Sequence, residues 1–580
     1  MCGIVGVFGQ KDLELVQNML NSIMHRGPDD SAIFSGEIYT VGAARLHFTD
    51  IKAKQPFTRN KSTIVYNGEI YNYKNLKQKI ESTHNIKFET DSDTEVILIG
   101  YELYGVDFFK ELDGMYSFAI CMSNKLILSR DRCGIKPLYY TILNNEVIYF
   151  ASEVKALFKN QNIENKIRLG ALVESHIFGF VIGNNTFFEN IYQLDPGSTL
   201  DITLNSEHKI TILKSTIENN FTEHKKVNFG DAILELKHLL QESVKSKLIG
   251  NYEIGSLLSG GLDSSILTVL LHNTTEYNIK TFSISDQFNK DIEYSRNLSS
   301  HIKSNHQEII INPNDVLRQI APCIMHNEMP TKLNINFLAS KTISQQVKGV
   351  ISGDGADELF GGYSLFDDPI GVLNKYQANY FNLKRLNFLD EQHFQTSRDR
   401  LSKLYHISQE TSAIECVFDF FSKDQLFNWQ FHITDRSSMC NGLEVRLPFI
   451  SNAILEFANK LSFNMKIEKG TKPLLRALFK NILSNSIGDD ISSRPKMAAP
   501  ASSYLCNNFI TEFARDNISN AYKENHPLRN LFKSSISFLS FDLFVYIFTI
   551  HRGQIPEDFT IQNFYSSYNI KEVNNEIFAN

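Results

Sequence analysis

The chain has 580 residues, more than one ordinary hydrophobic core serves, so two or more domains are expected. Hydrophobic residues make up 42 % and charged residues 21 %, which suits a folded soluble chain and excludes wholesale disorder. The net charge of −7 gives no electrostatic reason to bind nucleic acid, and the chain holds no low-complexity tract or short-period repeat.

The opening MCGIVGVFGQ has no basic leader before its apolar stretch, and Lys11 and Asp12 interrupt it, so no secretory leader is expected. Roughly the first 200 residues read as β-rich, with short apolar strands at Ile4–Phe8, Ile64–Tyr66, Ser117–Cys121, Lys125–Leu128 and Val147–Phe150 between Gly, Asn and Asp punctuation. Helical stretches at Leu13–Met24 and Thr94–Tyr104 interrupt them. The pattern predicts an α+β domain of stacked antiparallel sheets over residues 1–205. Residues 206–230 are polar and weakly periodic, and they read as a linker.

From 231 to 580 helices dominate. Ala232–Lys247 is amphipathic; strand Glu253–Leu258 runs through SGGLDSS into a helix at Ile266–His272; strands follow at Lys280–Ile284 and Gly349–Ile351. That rhythm predicts an α/β domain with a parallel sheet and crossover helices, followed by a largely helical C-terminal part. The apolar run Ile536 to Ile550 is too short to span a bilayer and contains Asp542, so it reads as a buried helix. The seven cysteines (Cys2, Cys121, Cys133, Cys323, Cys416, Cys440, Cys506) are scattered and lack CxxC spacing. Neither a disulfide framework nor a zinc site is expected, and a reducing cytoplasm is the simplest compartment.

Two stretches carry chemistry. Cys2 follows the initiator Met, and removal of that Met would leave an α-amine on the residue that holds the thiol. Such an amine titrates near neutrality and can serve its own side chain as base. The second stretch is SGGLDSS (Ser259–Ser265), a Gly-rich turn entering a helix, where backbone N–H groups and hydroxyls make a phosphate cradle. It is not a Walker A loop, since GxxxxGK[ST] is missing. Asp263 inside a phosphate cradle calls for an intervening cation and reads as a magnesium ligand. SGDGADELFGGY (Ser352–Tyr363) follows another strand, and its Asp357 would complete the metal site; it lacks EF-hand spacing.

The succession MCGIVGVFG, HRGPDD, RLHFTD, NGEIYNY, TDSDTEVIL, DGMYSFA, SRDRCGIKPLYY and ASEVKAL covers nearly all of residues 1–160 and resembles the class II glutamine amidotransferase domain, of N-terminal-nucleophile type, found in asparagine synthetases. The resemblance implies that Cys2 attacks the glutamine side-chain amide, that Asn67 and the Gly68 N–H hold the oxyanion, and that Arg45, Glu69 and Asp93 bind the amino acid. A fork from Arg45 onto the α-carboxylate and an Asp93 pair with the α-ammonium suit those charges. Where the family has a small residue after Arg45-Leu46, this chain has His47, read as a tolerated neighbour.

SGGLDSS resembles the pyrophosphate loop of ATP pyrophosphatases. DRSSMCNGLEVRLPF (Asp435–Phe449), KPLLR (Lys472–Arg476) and RPKMAAP (Arg494–Pro500) resemble the rest of the asparagine synthetase domain. The resemblance implies ATP contacts at Leu257, Ser259, Gly260, Gly261, Asp263, Ser264, Ser265, Ile284, Ser352 and Gly353. It places Asp354 at the acyl-adenylate step and Lys472 against leaving pyrophosphate. The chain departs from the family at Ile450-Ser451 and at Ala498-Ala499, on the half that chooses the acceptor. The implied activity is ATP- and magnesium-dependent formation of asparagine from aspartate and glutamine, releasing glutamate, AMP and pyrophosphate. The alternative keeps the mechanism and amidates another carboxylate, such as a sugar uronic acid or a secondary metabolite. A catalytically dead homologue is opposed by the intact Cys2, Arg45, Asn67, Asp93, Asp263 and Asp357. The expected partners are small molecules, with neither nucleic acid nor membrane, and the sequence leaves a monomer or a homodimer open.

Overall fold

Residues 3–8 are all apolar or glycine, the composition of a strand covered on both faces. They form β1 (Cys2–Phe8), every residue of which is buried. The computed structural model describes residues 2–49, 53–217, 227–285, 292–311, 313–331, 333–387, 389–468, 470–484 and 486–494. Beyond these it describes 511–519, 522, 529, 531, 532, 534–562, 564–567, 573, 574 and 577.

In chain order the next strands are β2 (Asp30–Ser35), β3 (Tyr39–Arg45), β4 (Phe57–Arg59), β5 (Ser62–Ile70), β6 (Gly114–Cys121) and β7 (Lys125–Arg130). They are followed by β8 (Tyr139–Leu143), β9 (Val147–Ala151), β10 (Tyr192–Gln193), β11 (Ser198–Leu204) and β12 (Ile210–Thr216). These make two antiparallel six-stranded sheets, ordered β10-β8-β9-β1-β3-β2 and β12-β11-β7-β6-β5-β4. The sheets stack: Ile4, Phe8, Val41 and Ala43 of the first share one apolar cluster with Val65, Ala119, Leu126 and Leu128 of the second. The alternate residues point outward. Tyr66, Phe118 and Ile120 pack with the helices Tyr73–His84 and Asp93–Tyr104, while Val5 and Val7 pack with the helix Leu13–Asn21.

The second half is built on β13 (Ile254–Leu257), β14 (Lys280–Ser285), β15 (Asn305–Ile310), β16 (Gly349–Ile351) and β17 (Glu444–Arg446), all parallel, in the order β15-β14-β13-β16-β17. The direction of winding reverses between β13 and β16. In open α/β sheets the ligand crevice lies at that point, outside the carboxyl ends of the strands. SGGLDSS follows β13 and SGDGADELFGGY follows β16, so the fold brings both loops to the crevice.

The halves share cores. The cluster around Val5 and Val7 continues to Phe544 and Phe548 near the end of the chain, and Phe48, Tyr71 and Met115 pack into the cluster of the parallel sheet. No disulfide links the six described cysteines, all buried, and Cys506 lies outside the described residues. Ile536 to Phe548 is largely buried helix, with a π-helical turn from Tyr546 to an exposed Ile550, and among the described residues no helix is long and apolar enough to cross a membrane.

Three details differ from the sequence expectation. β12 falls inside the segment read as linker; six of its seven residues are exposed at the sheet edge, so no apolar alternation marks it. The helix after β13 starts at Leu262 instead of Ile266, because the polar Asp263, Ser264 and Ser265 occupy its first turn. The helix expected over Leu13–Met24 stops at Asn21 and is followed by a short 3-10 turn, Met24–Arg26.

Candidate active sites

Cys2 opens β1 and Arg45 ends β3, directly opposite it in the antiparallel register, so both side chains leave the sheet on the same face. β5 supplies Asn67, Gly68 and Glu69. Asn67 is fully buried; its Oδ1 accepts from the Cys2 backbone nitrogen at 3.1 Å, and its Nδ2 has no hydrogen-bond partner. A buried donor without an acceptor is costly, and an oxyanion formed beside Cys2 would satisfy it. Gly68 lies so close to β6 that a Cβ would sit 2.2 Å from the Met115 carbonyl oxygen. Arg45 is buried, donates to the Ala53 carbonyl and lies 3.9 Å from Asp30.

Asp93 begins its helix, and Oδ2 accepts from the Tyr66 hydroxyl at 2.8 Å and the Ile70 N–H at 3.1 Å. Burial pushes its carboxyl up. Burial and then the Asp93 charge push Glu69 well up, opposed by the Arg446 guanidinium 3.6 Å away. Glu69 Oε1 is buried without a hydrogen-bond partner, so this acidic recess suits an ammonium group. His47 makes no hydrogen bond to Cys2; its backbone N–H donates to Asp29 at 2.9 Å. Gln55 carries no motif signal, yet it lies here, with Nε2 3.9 Å from the Cys2 sulfur and Oε1 accepting from the Tyr66 N–H at 2.8 Å.

The second site is a cavity of about 950 Å³ at the crevice of the parallel sheet. Leu257, Ser259, Gly261, Asp263, Ser264, Ile284, Ser352, Gly353, Asp354, Asp357 and Lys472 all line it. Gly260 turns the loop with φ of +76°, a conformation costly for a side chain, and its carbonyl accepts from Arg494 at 2.7 Å. Neither Gly260 nor Ser265 is on the wall; Ser265 is fully buried. Ser259 Oγ accepts from the Gly261 N–H at 3.3 Å and meets Ser264 Oγ at 3.0 Å, which tightens the cradle.

Lys472 Nζ lies 2.5 Å from Asp263 Oδ2 and 2.5 Å from Asp357 Oδ1. Burial opposes its charge, but the two carboxylates hold its pKa above the usual lysine value. Gly362 makes the approach possible, since a Cβ there would meet Asp357 at 1.8 Å and Lys472 at 2.3 Å. Asp263 and Asp357 thus converge on one cation-sized point, and an oxygen donor set of this kind fits magnesium. Asp354 Oδ2 accepts from the Thr434 hydroxyl at 2.7 Å and Oδ1 from the Gln430 amide at 3.1 Å; burial pushes its carboxyl up.

A buried ionic network joins the sites. Arg26 Nε donates to the Cys2 carbonyl at 3.2 Å, and its Nη groups hold Glu153 and Asp435. Arg436 pairs with Glu153 at 3.0 Å and Glu328 at 2.9 Å. His25, Glu153 and His326 come close enough to share a metal ion, but Arg26, Lys155 and Arg436 already crowd Glu153 and oppose a dication there.

A glutamine amidotransferase domain model matches residues 1–211, and an asparagine synthase model matches residues 235–537. Asparagine synthetase (glutamine-hydrolyzing) 1 of Bacillus subtilis is 29 % identical over 566 residues, covering 86 % of this chain and 87 % of that one. Asparagine synthetase (glutamine-hydrolyzing) 2 of the same organism is 30 % identical, covering 86 % and 71 %. Asparagine synthetase B of Escherichia coli is 27 % identical, covering 84 % and 80 %. The chain belongs to the asparagine synthetase family.

As a family member it is an ATP-dependent, glutamine-hydrolysing carbon-nitrogen ligase acting on small molecules. The departures from the family's pattern can now be placed. Ser451 caps the helix Asn452–Lys460, accepting from the Ile454 N–H at 3.3 Å, and it does not line the cavity. An aspartate could cap there equally well, so this departure does not bear on the acceptor. Ala498 and Ala499 lie outside the described residues. Sequence reasoning assigned no role to Arg476 and Arg494, which join Lys472 on the cavity wall; both stood inside quoted motifs, and their being basic residues of those motifs was the available signal.

Proposed function

We propose that the chain makes asparagine: residues 1–205 release ammonia from glutamine, and residues 231–580 activate aspartate with ATP and receive the ammonia. The observation that carries the reading is the pair of sites on one chain. One is an N-terminal cysteine facing a buried, unpartnered amide donor; the other is a phosphate cradle facing a cation cluster.

In this reading the Cys2 sulfur attacks the glutamine amide carbon, and the Cys2 amine, held by Asn67, takes the thiol proton. Asn67 Nδ2 and the Gly68 N–H stabilise the oxyanion. Arg45 holds the α-carboxylate, while Asp93 and Glu69 hold the α-ammonium. Ammonia leaves, and water cleaves the thioester to glutamate. In the cavity, Leu257 and Ile284 flank the adenine, and the backbone and hydroxyls of Ser259–Ser265, Ser352 and Gly353 hold the phosphates. The acceptor carboxylate attacks the α-phosphorus and pyrophosphate leaves, its charge balanced by Lys472. Ammonia adds to the acyl carbon, AMP departs, and Asp354 takes the proton that the nitrogen sheds. Asp263 and Asp357 would hold magnesium, which supplies charge neutralisation on the phosphates. An internal route keeps ammonia from becoming ammonium, which is no nucleophile, and keeps water off the adenylate. A cytoplasmic setting, where ATP is present, fits this chemistry.

The test is pyrophosphate release with ATP, magnesium and ammonium, scored for aspartate with asparagine as the product. Absence of pyrophosphate with aspartate would end the aspartate assignment. A second reading keeps the machinery and changes the acceptor to another carboxylate, such as a uronic acid or a secondary metabolite. The cavity wall has an apolar part, with Phe180, Phe187, Trp429 and Phe532, which an acceptor less polar than aspartate would contact. Signal with such an acid and none with aspartate would select it.

A further inference from the structure

A second cavity, of about 600 Å³, opens where the first residues of the chain meet the last. Its wall takes Asn18 and Asn21 from the end of the helix Leu13–Asn21, and Lys159 and Gln161 from the turn after the short helix Val154–Leu157. Arg552 and Gln554 come from the turn that follows Ile550. None of these residues lines the ATP cavity or belongs to the Cys2 site.

Its charge sets this cavity apart, because no carboxylate stands on the wall. Arg552 donates from Nε to the Phe158 carbonyl at 3.1 Å and from Nη1 to Asn165 Oδ1 at 3.2 Å. Its Nη2 donates to the Asn160 and Ile163 carbonyls, both at 2.8 Å. All four acceptors are neutral oxygens, so the guanidinium is fixed in place without a counter-charge, and burial lowers its pKa. Half-buried Lys159 has no ion pair or side-chain hydrogen bond among the described residues. Burial, then the charges of Lys155 and Arg552, push its ammonium down. Lys155 is already paired with Glu153. His551 also faces the cavity, but burial lowers its pKa and it adds no charge at neutral pH. Cations withdrawn from water are ordinarily paired, and here two that repel each other share one cavity. Service to the carbonyl end of the helix Leu13–Asn21 does not explain Lys159, since the Ser22 N–H and hydroxyl meet the Asn18, Met19 and Leu20 carbonyls.

We propose that this cavity is a binding site for a small phosphate monoester, with Lys159 and Arg552 balancing its charge and the amides of Asn18, Asn21, Gln161 and Gln554 bonding its polar body. A phosphate monoester carries nearly two negative charges at neutral pH, which matches the two cations in one compact group. The space suits a small ligand. The proposal goes beyond the assigned reaction and does not depend on it.

The test is calorimetric titration of the full chain with glycerol 3-phosphate, and with malate as a dianion that has no phosphate, beside thermal unfolding. Glycerol 3-phosphate is expected to bind, to raise the unfolding temperature, and to bind more weakly as salt is added. Lys159→Gln removes a charged donor and should weaken binding by about tenfold or more. Asn21→Asp, at an exposed position, sets a carboxylate on the wall and should weaken it as well. Lys472→Met, which alters the ATP cavity, should bind glycerol 3-phosphate like the wild type. Without ligand, Lys159→Gln should unfold no earlier than the wild type, because it removes a repulsion. No binding by the wild type, or variants at Lys159 and Asn21 that bind like it, would overturn the proposal. Binding lost in Lys472→Met but kept in Lys159→Gln would overturn it too, since that reports the ATP cavity. Malate binding tighter than glycerol 3-phosphate would overturn the ligand class, and a less stable Lys159→Gln with unchanged binding would mark a structural cation.

Discussion

Replacing Asn67 by alanine tests the oxyanion argument, together with the hold that its Oδ1 keeps on the Cys2 amine. Asn67 is fully buried, and its Oδ1 is committed to the Cys2 nitrogen at 3.1 Å, which fixes the amide plane and leaves Nδ2 as a donor with nothing to bond in the unliganded protein. Charge on the amide oxygen grows only as the tetrahedral intermediate forms, so the donor acts on the transition state more than on bound glutamine. Loss of one such donor costs about 10²–10³ in kcat, or about 3–4 kcal/mol. Loss of the bond to Cys2 costs stability on the order of 1 kcal/mol. Asn67→Ala should therefore remain folded, release glutamate about 10²–10³ more slowly with little change in KM, and keep ammonia-dependent pyrophosphate release. The assay is steady-state glutamate formation beside the ammonia-driven reaction. A fall of less than about tenfold in kcat, or a loss expressed only in KM, would refute the oxyanion role.

Lys472→Met removes the ammonium between Asp263 and Asp357; pyrophosphate release should fall by about 10²-fold or more while glutamate release from glutamine continues. Ser451→Asp exchanges one good helix cap for another, so thermal stability should stay within about 0.5 kcal/mol of wild type and the acceptor profile should not change, whereas Ser451→Ala should cost about 1 kcal/mol. Asp542 is fully buried among the hydroxyls of Tyr522 and Tyr565 and the amide of Asn574, and burial pushes its carboxyl up to about 7. A folded-state pKa above the unfolded one means the folded protein holds the extra proton, so this stability is present below about pH 4 and lost as pH rises through about 7. Asp542→Asn should flatten that slope, and unfolding curves of the two proteins from pH 5 to 8 should diverge with the variant the more stable at the alkaline end.

The legible parts of the chain were those where one local pattern decides. The unbroken apolar run after Cys2 announced a central strand, and the glycines and serines after β13 announced a cradle because strand, turn and helix follow in order. The edge strands β2 and β12 were not legible, since polar and apolar residues alike are exposed there, Phe34 and Leu213 among them, and obey no burial pattern. β17 was missed for the opposite reason: Glu444 and Arg446 look like surface charges, and only the fold shows that they neutralise each other in a core. The candidate residues Asn67, Glu69, Asp93, Asp263 and Asp357 could be named from motifs, but their partners could not. The hold of Arg446 on Glu69 and the position of Gln55 beside Cys2 depend on contacts between distant segments, which leave no local trace.

The central claim is that two chemistries run on one chain, with the first feeding the second, and Cys2→Ala tests it most directly. Both glutamate and pyrophosphate are followed, first with glutamine and then with ammonium as the nitrogen source. The account predicts no glutamate and no glutamine-driven amidation, with ammonium-driven pyrophosphate release close to wild type. Normal use of glutamine by Cys2→Ala would contradict it.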